Sequence, residues 1–386
     1  MPDPGAGRIN ARLQSELDEL RARSQWRELT TLRGIDLCSN DYLGLSSDPR
    51  LRKALAAAVR DDDRLASTGS RLLSGNHVRW EELEAEFARF VGAEASVFFT
   101  SGYLANVGLL SALLRPEDTV FSDASNHASL IDGIRLSRAR KVVFPHLDLN
   151  HLETCLKTAH GASDRFVVLE GIFSMDGDHA PIGAVIDLCN RYDATLIVDE
   201  AHSTGVDGPG GRGIVAAAGR PRCVLATIHT CGKALASMGA FVAGSRALCD
   251  FLINRARTFI FSTALPPYCA GQIRTAIGLA REAEDKRAHL ADVASGLRAR
   301  LRQEGFDTGR SDSQILPVIL GSNEAALGTV ASLVASGFAV RAIRPPTVPV
   351  GSARLRLSLT ATIGAGQVDA LVAALIRERK ARAVRE

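Results

Sequence analysis

From Trp80 to Val198 apolar and polar positions fall into short blocks that read as helix and strand in strict succession. The spacing predicts a helix up to 90, a strand at 96–99, a helix at 103–114, a strand at 119–121, a helix at 127–136 and a strand at 141–144. It continues with helix 149–157, strand 166–170, helix 182–192 and strand 195–198. Short strands that are apolar on both faces, separated by helices, build a mainly parallel sheet covered on both sides. Ligands of such sheets gather beyond the C-terminal ends of the strands.

The flanks read differently. Ile9, Leu13, Leu17 and Leu20 stand at helical spacing with Arg12, Arg21 and Arg23 on or near the other side, which predicts a separate amphipathic arm over 9–23. Residues 37–45 alternate into a polar turn, and Pro49 opens a helix to Val59. The stretch 67–76, rich in glycine and small hydroxyls, is long enough for a binding loop. Beyond residues 259–267 a long helical stretch at 270–303, continuous or broken, leads to strand 315–320, helix 324–335, strands 339–343 and 354–359, and a final helix. The expected class is therefore α/β: a helical arm over 1–40, a large domain over 41–275 with the parallel sheet, and a smaller α+β domain over 276–386.

Composition narrows the partners. The chain has 386 residues, 46% hydrophobic and 23% charged, with a net charge of +3, so it can bury a large core and nothing calls for nucleic acid. Seven cysteines without a C-x-x-C pair fit reduced, packed thiols in a cytoplasmic protein better than a disulfide framework or a metal site, and no metal is expected. No apolar run approaches the roughly 20 residues of a membrane span, and the opening MPDPGAG lacks the regions of a signal peptide. Neither membrane insertion nor export is expected.

Chemistry concentrates at strand ends. The apolar run before Lys233 closes in Thr230-Cys231-Gly232-Lys233, and 196–202 ends in Asp199 and His202. An amine to condense with an aldehyde, an acid for a pyridinium nitrogen and a ring-orienting imidazole are what pyridoxal phosphate needs. Ser101 and Gly102, between strand and helix, suit a phosphate at a helix N-terminus, although the same pair makes an ordinary cap. His127 opens a helix and suits stacking on an aromatic ring. Glu170 and Ser174 lie just past another strand, and Asp176 and Asp178 lack the glutamate a calcium loop requires. Gly208-Pro209-Gly210-Gly211-Arg212-Gly213 satisfies G-x-G-x-x-G but stands away from the strand-to-helix junction, and Ala234 after Lys233 breaks the nucleotide P-loop pattern.

Taken in order, Ser101-Gly102-Tyr103, His127, the stretch 170–178, Asp199 to His202, Thr230 to Lys233 and the run 344–357 resemble the α-oxoamine synthases, from about Leu37 to the end. The resemblance implies the aspartate-aminotransferase-like fold, type I of the pyridoxal-phosphate transferases, and a homodimer with active sites at its interface. It assigns Lys233 to covalent attachment of the cofactor, Asp199 to its pyridinium nitrogen, His127 to ring stacking and His202 to the phenolic oxygen. Ser101, Gly102, Tyr103, Thr230 and Ser174 surround the cofactor in this scheme, and Ser262 and Thr263 reach the phosphate of the other subunit. Arg356 takes the amino-acid carboxylate, Thr347 the acyl substrate, and Arg21 or Arg23 the far carboxylate of the acyl chain. After Lys233 the family often has glycines where this chain has Ala234-Leu235-Ala236, which leaves the shape of that turn open.

Arg344-Pro345-Pro346-Thr347-Val348-Pro349 resembles the branch that condenses L-alanine with a pimeloyl thioester, on coenzyme A or a carrier protein, in biotin biosynthesis. Relatives that use glycine with an acetyl or succinyl thioester are the nearest alternatives, and a catalytically silent binding protein on the same fold is another. The joint presence of Lys233, Asp199, His127, His202 and Arg356 favours an acyltransferase.

Overall fold

The computed structural model of the chain describes residues 4–31, 33–62, 64–159 and 163–385. Its centre is a seven-stranded sheet in the order Ala95–Phe99, Ala240–Gly244, Val224–Thr230, Thr195–Asp199, Arg165–Glu170, Thr119–Asp123, Arg140–Phe144. Six strands run in one direction and Ala240–Gly244 runs against both neighbours. The parallel α/β reading of the sequence holds.

The two-residue period of the strands sorts their side chains between two cores. Val168, Ile197 and Ile228 face the helices Gly102–Leu113, Ala128–Ser137 and Arg246–Arg255, meeting Leu109, Leu130 and Leu252. Val167, Leu169, Leu196 and Val198 face the other way, onto Leu152 and Leu156 of Leu149–Thr158 and Val185 and Cys189 of Ile182–Arg191. Apolar surface on both faces explains why these strands read as unbroken apolar runs.

A smaller antiparallel sheet, Ala342–Ile343, Ala353–Ser358 and Ile315–Gly321, is backed by Asn323–Ala335 and Ala365–Arg385 through Leu316, Val318, Leu355, Leu357, Leu333 and Leu371. Ile35–Asp36 pairs in parallel with Phe338–Ala339, and Leu37 then hydrogen-bonds across to Ser358 and Ala339. This threads residues 37–42 along the small sheet and brings Asn40 and Tyr42 towards the strand ends of the large one.

Two local expectations change and a third, left open, is settled. The single strand expected at 339–343 is two pairs with different partners, Phe338–Ala339 and Ala342–Ile343. The helical stretch 270–303 breaks at Ala283 into Tyr268–Arg281 and Glu284–Gln303. The N-terminal helix runs Pro4–Ala22, with Ile9, Leu13 and Leu20 exposed. Among the described residues no helix is long and apolar enough to cross a membrane.

Candidate active site

Four strand ends converge on one cavity. Asp199 closes its strand beside Glu170, its register partner on the neighbouring strand. Thr230 closes the next strand and the turn 231–233 delivers Lys233. Ser101 caps the helix Gly102–Leu113 after the first strand, its hydroxyl accepting from Leu104 N, and His127 caps Ala128–Ser137 through Nδ1, which accepts from Ser129 N. The cavity, about 180 Å³, is lined by Gly102, Tyr103, His127, Asp199, His202, Thr230 and Lys233, and also by Asn106, Ser129 and Glu170. The cap reading of Ser101 is correct, and it leaves the helix N-terminus beside the cavity.

Burial sets the electrostatics. Lys233 is pulled down to about 8, chiefly by burial, with Asp199 and Glu170 opposing the shift and Arg356 adding to it. Glu170 is pushed up to about 8 by burial and by neighbouring Asp199. Burial also lowers His127 and holds His202 well below the usual histidine range, so both imidazoles are neutral. Asp199 Oδ2 accepts from Asn106 Nδ2 at 2.6 Å and Oδ1 from Ala201 N at 2.9 Å. Asn106 Nδ2 also donates to Ser129 Oγ, which lies 2.7 Å from His127 Nδ1. One hydrogen-bonded set therefore orients both the carboxylate and the imidazole.

A second, larger cavity of about 750 Å³ adjoins the first, with His127 lining both. Ser174, Thr347, Arg354 and Arg27 line it, and Arg27 Nη2 lies 3.4 Å from Thr347 Oγ1. Arg356 is buried, and its hydrogen bonds go to the Ser174 carbonyl, Asn40 Oδ1 and Ser358 Oγ, all neutral acceptors. Arg354 instead pairs with Asp176 at 2.6 Å. Asp178 accepts from His146, so neither acid of this loop is free for a cation.

Other expected residues lie elsewhere. Arg21 sits in the last turn of the exposed N-terminal helix and Arg23 just beyond its end, paired with Asp18 and Glu19. Ser262 lines a separate small cavity with Arg71 and Trp80, and Thr263 bridges to Ser70, both away from Lys233 of the same chain. The glycines at 208–213 form a loop held by Glu200, which accepts from the backbone N–H groups of Ile214 and Val215. Sequence reasoning missed Asn106, Ser129, Tyr42, Asn40 and Arg27. Of these, only Asn106 carried a signal: four residues after Gly102, it lies on the same helix face.

Comparison with known proteins identifies the family. The model of the family described as aminotransferase class I and II matches residues 33–375. The chain is 43% identical to an 8-amino-7-oxononanoate synthase of Geobacter sulfurreducens, covering 95% of this chain and 97% of that one. It is 46% identical to the synthase of Anaeromyxobacter dehalogenans, covering 88% and 85%. Among solved structures, a serine palmitoyltransferase of S. paucimobilis with bound PLP and myriocin superposes with a TM-score of 0.88 at 29% identity, covering 96% of this chain and 98% of that one. An 8-amino-7-oxononanoate synthase of Francisella tularensis gives 0.79 at 29% identity, covering 90% and 98%. This chain belongs to the class I and II aminotransferase family and, within it, to the 8-amino-7-oxononanoate synthases, whose cofactor is pyridoxal phosphate.

Proposed function

We propose that the chain condenses L-alanine with a pimeloyl thioester, releasing CO2 and the free thiol and forming 8-amino-7-oxononanoate for biotin biosynthesis. One observation carries the reading: a buried amine held near neutrality shares a cavity with a buried carboxylate and opens onto a second cavity large enough for an acyl chain.

The residues present fit the cofactor. Asn106 Oδ1 and Glu170 Oε1 are buried without a protein partner, and both residues border the cavity, as expected where a polar ligand completes the set. Lys233 is the amine for its aldehyde, Asp199 the acid for its ring nitrogen and His202 the partner of its phenolic oxygen. Gly102 with Tyr103 and Thr230 suits its phosphate at a helix N-terminus, and Ser101 holds that terminus by its cap. When bound, the cofactor supplies an electron sink for the pair left on the substrate α-carbon.

The chain's own groups do the rest. Lys233 Nζ, lowered to about 8, takes and returns the α-proton near neutral pH. The neutral His127 ring, fixed by Ser129, lies between the two cavities, where it covers one face of the reacting pair and excludes water. Arg356 offers a planar fork to the alanine carboxylate, since its present acceptors are neutral and replaceable. Thr347 and Ser174 bound the acyl site. Arg27 faces that site more directly than Arg21 or Arg23 and is the better candidate for the far carboxylate.

The same reading makes 41–275 the cofactor domain and 276–386 the smaller one, supported by their separate sheets. A homodimer is supported by exposed Leu73 and Phe261, beside Ser262 and Thr263, which then serve the partner's phosphate site. Seven free cysteines support a cytoplasmic setting. The test is a grid of alanine, glycine and serine against pimeloyl, acetyl, succinyl and palmitoyl thioesters, read by thiol release. Release confined to alanine with pimeloyl supports the assignment; the strongest release from serine with palmitoyl moves the chain to another specificity.

A further inference from the structure

An unbroken chain of hydrogen bonds, buried at its centre, joins the amine of Lys233 to the guanidinium of Arg356. Lys233 Nζ lies 2.8 Å from His202 Nε2, and His202 Nδ1 lies 2.6 Å from the Tyr42 hydroxyl. That hydroxyl lies 3.1 Å from Asn40 Oδ1, which also accepts from Arg356 Nη1 at 3.1 Å. Tyr42 is fully buried and His202 nearly so. Its neighbours hold it in place: Ala361 N donates to the Tyr42 carbonyl, and Gln314 Nε2 to the His202 carbonyl.

Valence fixes the direction of every bond. An ammonium at Lys233 only donates, so Nε2 of His202 accepts from it. The imidazole is neutral, since burial and the charges of Lys233 and Arg356 oppose protonation, and its single N–H is then on Nδ1. Burial raises Tyr42 to about 12, so a phenol and not a phenolate receives that N–H. The phenol hydrogen goes on to Asn40 Oδ1, which can only accept.

We infer that Tyr42 is a positioning residue of the reaction: by accepting Nδ1–H it holds His202 in the tautomer whose Nε2 is a lone-pair acceptor for Lys233, and so sets how readily Lys233 gives up its proton. Without the phenol oxygen, Nδ1–H would be a buried donor with no acceptor. The ring would then move its hydrogen to Nε2, which faces Lys233 and is satisfied only by a neutral amine. Asp199, Glu170 and Arg356 also act on Lys233, and Tyr42→Phe removes none of these groups.

The inference rests on Lys233 being the cofactor lysine, and the experiment separates the two. Full-length parent and Tyr42→Phe, labelled with ¹⁵N in histidine and freed of cofactor, are compared by ring-nitrogen NMR. The pH dependence of Lys233 acetylation is read on its peptide by mass spectrometry, and re-addition of pyridoxal phosphate checks the fold. The parent should show His202 protonated on Nδ1 and bare on Nε2. Tyr42→Phe should move the hydrogen to Nε2 and lower the acetylation midpoint by about one pH unit, roughly a tenfold change in the ratio of neutral to protonated amine. An Nε2–H ring in the parent, or an unchanged tautomer and midpoint in the variant, overturns the inference. If the variant does not fold, the parent's tautomer decides alone. A parent that does not take up pyridoxal phosphate on Lys233, trapped by borohydride, contradicts the proposed function instead.

Discussion

Asn106 donates to Asp199 Oδ2 at 2.6 Å, tying the carboxylate at a strand end to the helix that begins at Gly102. With Ala201 N on the other oxygen, the carboxylate is fixed from both sides by donors. Its charge and its orientation are therefore separate properties, and an amide in its place would keep the size while losing both the charge and one acceptor.

Asp199→Asn should retain cofactor but exchange the α-proton of alanine about a hundredfold more slowly, because the ring nitrogen loses its negative partner. Exchange into deuterated water, followed by NMR, measures this; equal rates in variant and parent contradict the role.

Lys233→Ala should still bind pyridoxal phosphate, through the helix N-terminus and Asp199, while condensation falls about a thousandfold or more. In the parent, covalent capture should quicken as pH rises through about 8, where the buried amine loses its proton. Borohydride trapping across pH, with the modified peptide identified, reads both effects. Capture on another lysine would remove Lys233 from the site.

Arg356 and Arg354 alternate on one strand but meet different partners, neutral acceptors for the first and Asp176 for the second. Arg356→Lys should cost about 1.5 to 3 kcal/mol of alanine binding, a tenfold to hundredfold rise in Kd. Arg354→Lys should change that affinity little. Alanine titrations of both variants decide, and weakening confined to Arg354→Lys would show that the wrong arginine had been chosen.

Two half-buried histidines are predicted to make stability fall with alkalinity. His146 lies 2.8 Å from Asp123 and 3.0 Å from Asp178; burial works against its charge, but these bonds outweigh it and raise the group to about 10. His179, between Asp207 and Asp312, is raised to about 10 in the same way. Both folded values exceed the unfolded value of about 6.5, so the stabilisation is complete below that pH and is lost as pH rises through about 10. Urea unfolding of His146→Asn should show lower stability at pH 7 and a shallower alkaline fall than the parent. Parallel profiles would mean that His146 carries no such charge.

Most of the large sheet was legible in the sequence because most of its parallel strands are apolar on both faces and lead into a helix, although Arg140–Phe144 is largely exposed and Val224–Thr230 leads into the Lys233 turn. Ala240–Gly244 escaped notice for the opposite reason: it returns antiparallel straight from the Lys233 turn, with no helix before it. Residues 339–343 looked like one strand because periodicity cannot register a change of partner in mid-run. Lys233, Asp199, His127 and His202 stood out through motif and strand-end position. Tyr42 and Asn40 did not, since they meet His202 and Arg356 only through contacts 160 and 316 residues apart in sequence. Arg27 lies a few residues beyond the helix that drew attention to Arg21 and Arg23, where no period marks it.

The most direct measurement follows the carbons of alanine. The chain, loaded with pyridoxal phosphate, is given pimeloyl thioester and L-alanine labelled with ¹³C at all three carbons, and product and gas are analysed by mass spectrometry. Decarboxylative condensation predicts 8-amino-7-oxononanoate carrying two labelled carbons, with the third in CO2 and one thiol released for each product. Labelled pyruvate in place of condensed product, or a product that keeps the labelled carboxylate, would contradict it.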